Sequence, residues 1–326
     1  MKRNDKTLDL SVVVPVYNER DNIAELSQRL TKVLRGLKLS YEVLFVDDGS
    51  DDRPLAADAP HGVSGTLAEI LKAKKLDKNI SALTLAKNSG KSQAYIVGFD
   101  AARGDIVVTM DGDLQDRPEQ IPDFIAKINE VPGYDLVTGW KYTGKGKRAK
   151  SSERFNALVS RVTRLHIHDT NCPFKAYRRD VVKNIWVYGN LYRFIPAMAY
   201  WQGYKIAEIK VENDPRAHGV TKYGPGRWMG GFIDLLTVFF LTQYIKRPLY
   251  LFSIAGTISF TLGFVIELYI LIDGIMKGFI SHTALMLLGI VFIIASIQFI
   301  STGLLAEMII RVRQELQRDV PVYTKI

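Results

Sequence analysis

Two apolar stretches near the C-terminal end constrain this chain more than anything that precedes them. Residues 249–272 and 284–310 are each long enough to cross a bilayer, which takes about 20 apolar residues. Each carries one acidic residue near its C-terminal end, Glu267 and Glu307, and a short link, 273–283, joins them. Lys246 and Arg247 precede the first stretch, and Arg311 and Arg313 follow the second. Basic flanks are retained on the cytoplasmic side, so both outer ends are expected there and the hairpin link outside. A pair of core helices in a soluble protein is the alternative. Two adjacent spans of this length with basic outer flanks fit it poorly.

The segment before the hairpin, 228–245, is apolar but interrupted by Asp234, Thr242 and Gln243. It is short for a span. An interfacial helix in the headgroup plane or a core helix of the preceding domain fits it better. The N-terminal residues 1–10 are charged and lack an apolar run, so no cleavable signal peptide is expected. Cys172 is the one cysteine, which excludes an intrachain disulfide and a Cys-rich zinc site. His166, His168, His218 and His282 form no metal-ligand pattern. The net charge of +9 suits nucleic acid, anionic lipid or phosphorylated substrates. The apolar spans favour an anionic membrane surface and a phosphorylated substrate over nucleic acid.

The first 227 residues alternate between strand-like and helix-like patterns, the signature of an α/β domain. Strands are expected at 10–16, 41–47, 80–85, 106–111 and 136–139. They are near-continuous apolar runs, as in a mostly parallel sheet covered by helices on both faces. A helix is expected between the first two, where Ile23, Leu26, Leu30, Val33, Leu34 and Leu37 recur at helical spacing. Another is expected over 92–102, and Pro60 and Gly62 mark 58–64 as a loop. The organisation read from the sequence is a catalytic domain at 1–227, an interfacial amphipathic helix at 228–247, a transmembrane hairpin at 248–311 and a cytoplasmic tail at 312–326.

Ligands of open α/β sheets sit beyond the C-terminal ends of the strands. Three polar clusters fall at such ends. The first strand leads into Pro15, Tyr17, Asn18 and Glu19. The second leads into Asp47, Asp48, Gly49 and Ser50. The fourth leads into Asp111, Gly112, Asp113, Leu114 and Gln115. Each cluster alone is ordinary turn or cap chemistry. Converging on one rim, unpaired carboxylates repel and call for a cation or a donor-rich ligand. Asp111 and Asp113, two apart on a strand, would point the same way. Such a pair suits Mg²⁺ or Mn²⁺ and the phosphate oxygens it carries, and Gln115 could add an amide oxygen. There is no phosphate-binding G-x-x-x-x-G-K-[ST] loop and no dinucleotide G-x-G-x-x-G. A haloacid-dehalogenase-like phosphatase also uses Asp-x-Asp, but after its first strand.

The motifs VVVPVYNE, VDDGS, GKSQAYIVGFDAARGDIVVTMDGDLQDRPEQIP and GW together resemble glycosyltransferase family two, most closely its polyprenyl-phosphate branch. The segments DTNCPFKAYRRD, YRFIPAMAY, PRAHGVTKYGPGR and DLLTVFF extend the resemblance over nearly the whole chain. It implies a GT-A fold and metal-dependent, inverting transfer of a hexose from a nucleotide-sugar to a polyprenyl phosphate. By the same resemblance, Pro15, Tyr17, Asn18, Glu19, Asp47, Asp48, Lys91, Asp111 and Gly112 would bind the nucleotide-sugar. Asp111, Asp113 and Gln115 would hold the metal. Asp169, Arg148, Ser152, Arg216, Thr221 and Lys222 would serve catalysis and the acceptor phosphate. Thr221 replaces a family Ser, and Tyr192 stands where many relatives have His. Asn171, Pro173 and segment 51–71 also depart from the usual pattern.

The acceptor is a phosphate monoester, already anionic at neutral pH, so its oxygen needs placement and charge screening rather than a strong base. Lys141, Lys145, Lys147, Arg148, Lys150 and Arg154 form a basic run. Most of its lysines read as solvated loop, and Arg148 and Arg154 as phosphate ligands. Arg178 and Arg179 either face the acceptor or lie on the surface. The expected donor is UDP-glucose, with GDP-mannose or a UDP-aminoarabinose type as the alternative. A homo-oligomer is left open. Readings of another class are an inactive membrane scaffold and a lipid-sugar flippase.

Overall fold

The computed structural model describes residues 7–54, 62–141, 157, 159–161, 163–185, 187–215, 235, 237–240, 247–277 and 282–317, excluding the side chains of 311 and 313–317. They divide into two compact units, 1–238 and 239–326.

The first unit is a seven-stranded sheet. Its strands are β1 (Leu8–Val16), β2 (Tyr41–Asp47), β3 (Ile80–Thr84), β4 (Gly104–Thr109), β5 (Leu136–Lys141), β6 (Lys175–Arg178) and β7 (Ile206–Val211), in spatial order β3-β2-β1-β4-β6-β5-β7. β1 runs parallel to β2 and β4, β2 to β3, and β5 to β7. β6 alone is antiparallel, wedged between β4 and β5. Five strands match those expected from sequence. β6 and β7 are additions, and β4 stops at Thr109 rather than reaching Asp111.

The helices are α1 (Arg20–Gly36), α2 (Gly65–Leu76), α3 (Lys91–Ala101), α4 (Ile121–Asn129), α5 (Arg179–Asn184) and α6 (Ile195–Trp201). α1 buries Ile23, Leu26, Leu30 and Leu34, the face its periodicity marked. These residues share one core with Val12 and Val14 of β1 and with Phe124 and Ile128 of α4. Val13 points to the opposite face, where its methyl group meets Gly98 of α3. The β-branched run of β1 is therefore buried from both sides, which explains its continuous hydrophobicity. Pro15 breaks no rung, because the register with β4 ends at Val13–Thr109. Ser64 caps α2, accepting from Leu67 N at 3.2 Å.

The second unit holds α7 (Pro248–Lys277) and α8 (Thr283–Gln317). Both are long and apolar enough to cross a membrane, with only 17% and 11% of their most apolar windows buried. Phe264, Leu268, Val291 and Leu305 among others face outward. A core helix of a soluble protein would bury that surface, so the exposure argues against that alternative. The helices approach closely where small residues allow it. A side chain at Gly263 would come within 2.7 Å of the Gly289 carbonyl. Glu307 accepts from Leu249 N at 3.4 Å, at the start of α7. Most of the expected interfacial helix, 228–247, lies outside the described residues.

Candidate active site

The parallel strands bring the three polar clusters to one rim, where they enclose a cavity of about 280 Å³. Pro15, Tyr17 and Glu19 line it from the end of β1, and Asp48 from the end of β2. Lys91 contributes from the start of α3, and Asp111, Gly112 and Asp113 from the turn after β4. These eight are all residues the sequence singled out. Val16, at the end of β1, also lines it, and Asn88, Gly90 and Ala94 complete the wall; these four were missed. The signal for Asn88 and Gly90 was the polar turn KNSG immediately before a helix.

Asp111 and Asp113 reach the cavity for a reason other than strand alternation. β4 ends before them, and the chain turns through Leu114 at φ +63°. The Asp111 N–H donates to Asp116 at 3.1 Å, and Gln115 N donates to Asp113 Oδ1 at 3.2 Å. A side chain on Gly112 would come within 2.6 Å of Val16, so only glycine lets this turn lie against β1. Gln115 does not line the cavity. Its backbone carbonyl accepts from Asp214 N at 2.9 Å.

Two predicted ligands build the rim rather than line it. Asn18, at φ +55°, accepts from Asp51 N and Asp52 N at 3.0 and 3.2 Å, and its amide donates to Asp51. Asp47 is buried and accepts from Ser50 N at 3.0 Å. Burial pushes its carboxyl above the ordinary range, against the Ser50 bonds. Asp48 does both jobs. It lines the cavity while its carboxylate accepts from Ser89 N at 2.7 Å and Gly90 N at 2.9 Å. Gly49, at φ +69°, permits that approach, since a side chain there would meet the Lys87 backbone at 2.5 Å.

Behind the cavity lies a layer of buried charge that the sequence did not announce. Asp116 is fully buried, and Lys141 Nζ lies 3.2 Å from its Oδ1. Burial raises the Asp116 carboxyl above its usual range, with Lys141 opposing. Burial works against the charged Lys141 amine, yet Asp116 raises it above the ordinary lysine range. Lys141 therefore belongs to the framework of the site and not to a solvated loop. Lys175, also buried, donates to the Cys172 carbonyl, and burial lowers its amine to about 8. Burial raises the Cys172 thiol to about 12.

Asp169 does not line the cavity. Glu208 of β7 holds its loop, accepting from Asp169 N at 2.9 Å and from His168 Nδ1 at 2.7 Å. The His168 ring stacks on Trp140, with centroids 4.0 Å apart. Arg178 and Arg179 are surface-framework residues. Arg178 donates to the Ile128 carbonyl at 3.0 Å, and Arg179 pairs with Asp105 at 3.2 Å near the start of β4, the end remote from the rim. Arg148, Ser152, Arg154, Arg216, Thr221 and Lys222 lie outside the described residues.

Among the described residues, no three His, Cys, Asp or Glu side chains converge as a metal cage. The two carboxylates at the cavity fit a different case. A hard cation such as Mg²⁺ commonly takes one or two carboxylates and completes its shell from water and substrate phosphates.

A cavity of this make, at the C-terminal rim of a mostly parallel sheet, suits a phosphorylated ligand. The family model for glycosyl transferase family 2 matches residues 11–186, which carry every lining residue. The chain belongs to glycosyl transferase family 2. It is 34% identical to the dodecaprenyl-phosphate galacturonate synthase of Rhizobium johnstonii over 313 residues, 94% of this chain and 89% of that one. It is 32% identical to the undecaprenyl-phosphate 4-deoxy-4-formamido-L-arabinose transferase of Edwardsiella ictaluri, over 94% of this chain and 90% of that one. Among solved structures, glucosyl-3-phosphoglycerate synthase from Mycobacterium tuberculosis, with Mn²⁺, UDP-glucose and phosphoglyceric acid, has a TM-score of 0.55 at 17% identity. It covers 72% of this chain and 79% of its own, a likeness of fold in the GT-A domain of this family 2 enzyme.

Proposed function

We propose that this glycosyltransferase moves a sugar from a nucleotide-sugar to a polyprenyl phosphate at the cytoplasmic face of the membrane. The observation that carries the reading is the pairing, in one chain, of an acidic rim cavity with two bilayer-length helices. The cavity sets Asp111, Asp113 and Lys91 where the phosphates of a cation-bound nucleoside diphosphate would sit, and the helices would keep the enzyme where a lipid phosphate is found. The acceptors named for the relatives, dodecaprenyl and undecaprenyl phosphate, support the same acceptor class.

Asp111 and Asp113 would hold Mg²⁺ or Mn²⁺. Bound there, the cation would neutralise charge on the leaving diphosphate. Pro15, Tyr17 and Glu19 would bracket the nucleoside, with Asp48 fixing the loop beneath it. Lys141 and Asp116 would keep the turn that carries both carboxylates in place. Arg148, Ser152, Arg216, Thr221 and Lys222 are proposed for the acceptor phosphate, whose oxygen attacks without a strong base. The sequence favoured glucose. The relatives name galacturonate and a formamido-arabinose instead, which supports a uronate or 4-amino-pentose donor above glucose.

The test uses the purified full chain in detergent with a short-chain polyprenyl phosphate. UDP-glucose, UDP-galacturonate, a UDP-4-formamido-arabinose and GDP-mannose are supplied in turn, with Mg²⁺ or Mn²⁺. One donor should release nucleoside diphosphate only when the lipid phosphate is present. Release that ignores the lipid phosphate would refute the acceptor.

A further inference from the structure

We propose that Lys91 is a place-holder for the divalent cation: its ammonium occupies the Asp111 carboxylate until cation and nucleotide arrive together, then passes to the diphosphate. The inference rests on the metal and nucleotide reading above and goes beyond it by making the two ligands interdependent.

Lys91 is the first residue of α3 and lines the same cavity as Asp111 and Asp113. Its Nζ is bonded to Asp111 Oδ1. Both side chains are about three-quarters buried, at 23% and 26% exposure, so the pair is only partly screened by water. The turn does not need this bond to hold its shape, because Asp116 already fixes the Asp111 amide. The ammonium also has a second seat. It lies 5.3 Å from the centre of the Tyr192 ring and 5.8 Å from that of Tyr95. It can leave the carboxylate and stay over the aromatic faces.

A divalent cation on Asp111 cannot share that oxygen with an ammonium at contact distance, since the two repel. Metal arriving alone must expel Lys91 with no new anion to receive it. Metal arriving with a nucleoside diphosphate brings phosphate oxygens that pair with the freed ammonium. The cation and the nucleotide should therefore each raise the affinity for the other, and by the same factor. Direct contact between the cation and the phosphate oxygens couples the two ligands by itself, so the part played by Lys91 is the share of the coupling that disappears with its charge.

Mn²⁺ binding to the full chain in detergent, followed by electron paramagnetic resonance with and without UDP, tests this. Mn²⁺–UDP formed in solution is subtracted. In the wild type, UDP should raise Mn²⁺ affinity. Lys91→Gln should bind Mn²⁺ alone roughly five- to tenfold more tightly, the worth of one part-buried ion pair. It should also show a smaller gain from UDP than the wild type, the remainder coming from direct contact between the cation and the phosphates. Lys91→Arg, which keeps the charge, should retain the wild-type pattern. Unchanged or weaker Mn²⁺ binding by Lys91→Gln would overturn the place-holder. So would a wild type whose Mn²⁺ affinity ignores UDP, a result that needs no variant. A wild type that holds no Mn²⁺ even with UDP would overturn the metal reading itself.

Discussion

Asp113 lines the cavity, but not for the reason its spacing suggested. Its spacing from Asp111 suggested strand alternation, yet both lie in a turn shaped by Gly112, Leu114 and Asp116. The composition of the cluster was legible, but the turn was not, because it depends on a buried carboxylate contacted from β5. Asp113→Asn keeps an acceptor for Gln115 N but removes the charge. Transfer should fall on the order of 10²-fold or more while circular dichroism stays unchanged. Near-normal turnover would refute the metal role. Lys175 was invisible as a site residue, since its burial follows from β6, which sequence patterns did not reveal. Its amine is lowered from 10.5 to about 8 by burial. Below pH 8 both folded and unfolded chains hold the proton. Between about 8 and 10.5 the unfolded chain binds more, so stability should rise with pH. Cys172, raised from 9.0 to about 12, opposes this above pH 9. The clean window is pH 8–9, where Lys175→Met should flatten the rise in thermal midpoint. An unchanged slope would refute the buried, depressed amine.

At the scale of elements, continuous apolar runs announced the strands β1 to β5, and periodicity announced α1. The four residues of β6 are too short for a pattern, and β7 alternates with Glu208 and Lys210. Both are strands through their pairing with β4 and β5, which local sequence does not encode. α2 and α4 were also passed over, although Ile121, Phe124, Ile125 and Ile128 recur at helical spacing. The loop before α3 is the element on which the cavity depends most, and Asp48 is its anchor. Asp48→Ala should speed hydrogen exchange at the Ser89 and Gly90 amides and weaken nucleotide binding by about tenfold or more. The estimate follows from two charge-assisted hydrogen bonds. Unaltered exchange there would show that the loop stands without Asp48.

At the scale of the whole molecule, hydropathy fixed the two long helices, and α7 and α8 run past the predicted spans to Lys277 and Gln317. The side of the membrane is a separate claim, resting on Lys246, Arg247, Arg311 and Arg313. A cysteine placed in the 278–281 link of a Cys172→Ser chain should react with an impermeant maleimide from outside intact cells. Labelling only after lysis would reverse the topology. The central claim is that the acidic cavity transfers sugar to a membrane lipid phosphate. Its most direct measurement is the transfer of radiolabel from nucleotide-sugars into the organic-extractable lipid of membranes bearing wild-type or Asp111→Asn enzyme. Label should enter lipid from one donor with the wild type and fall at least about 10²-fold with the variant. Lipid label from no donor, or equal label from both proteins, would contradict the account.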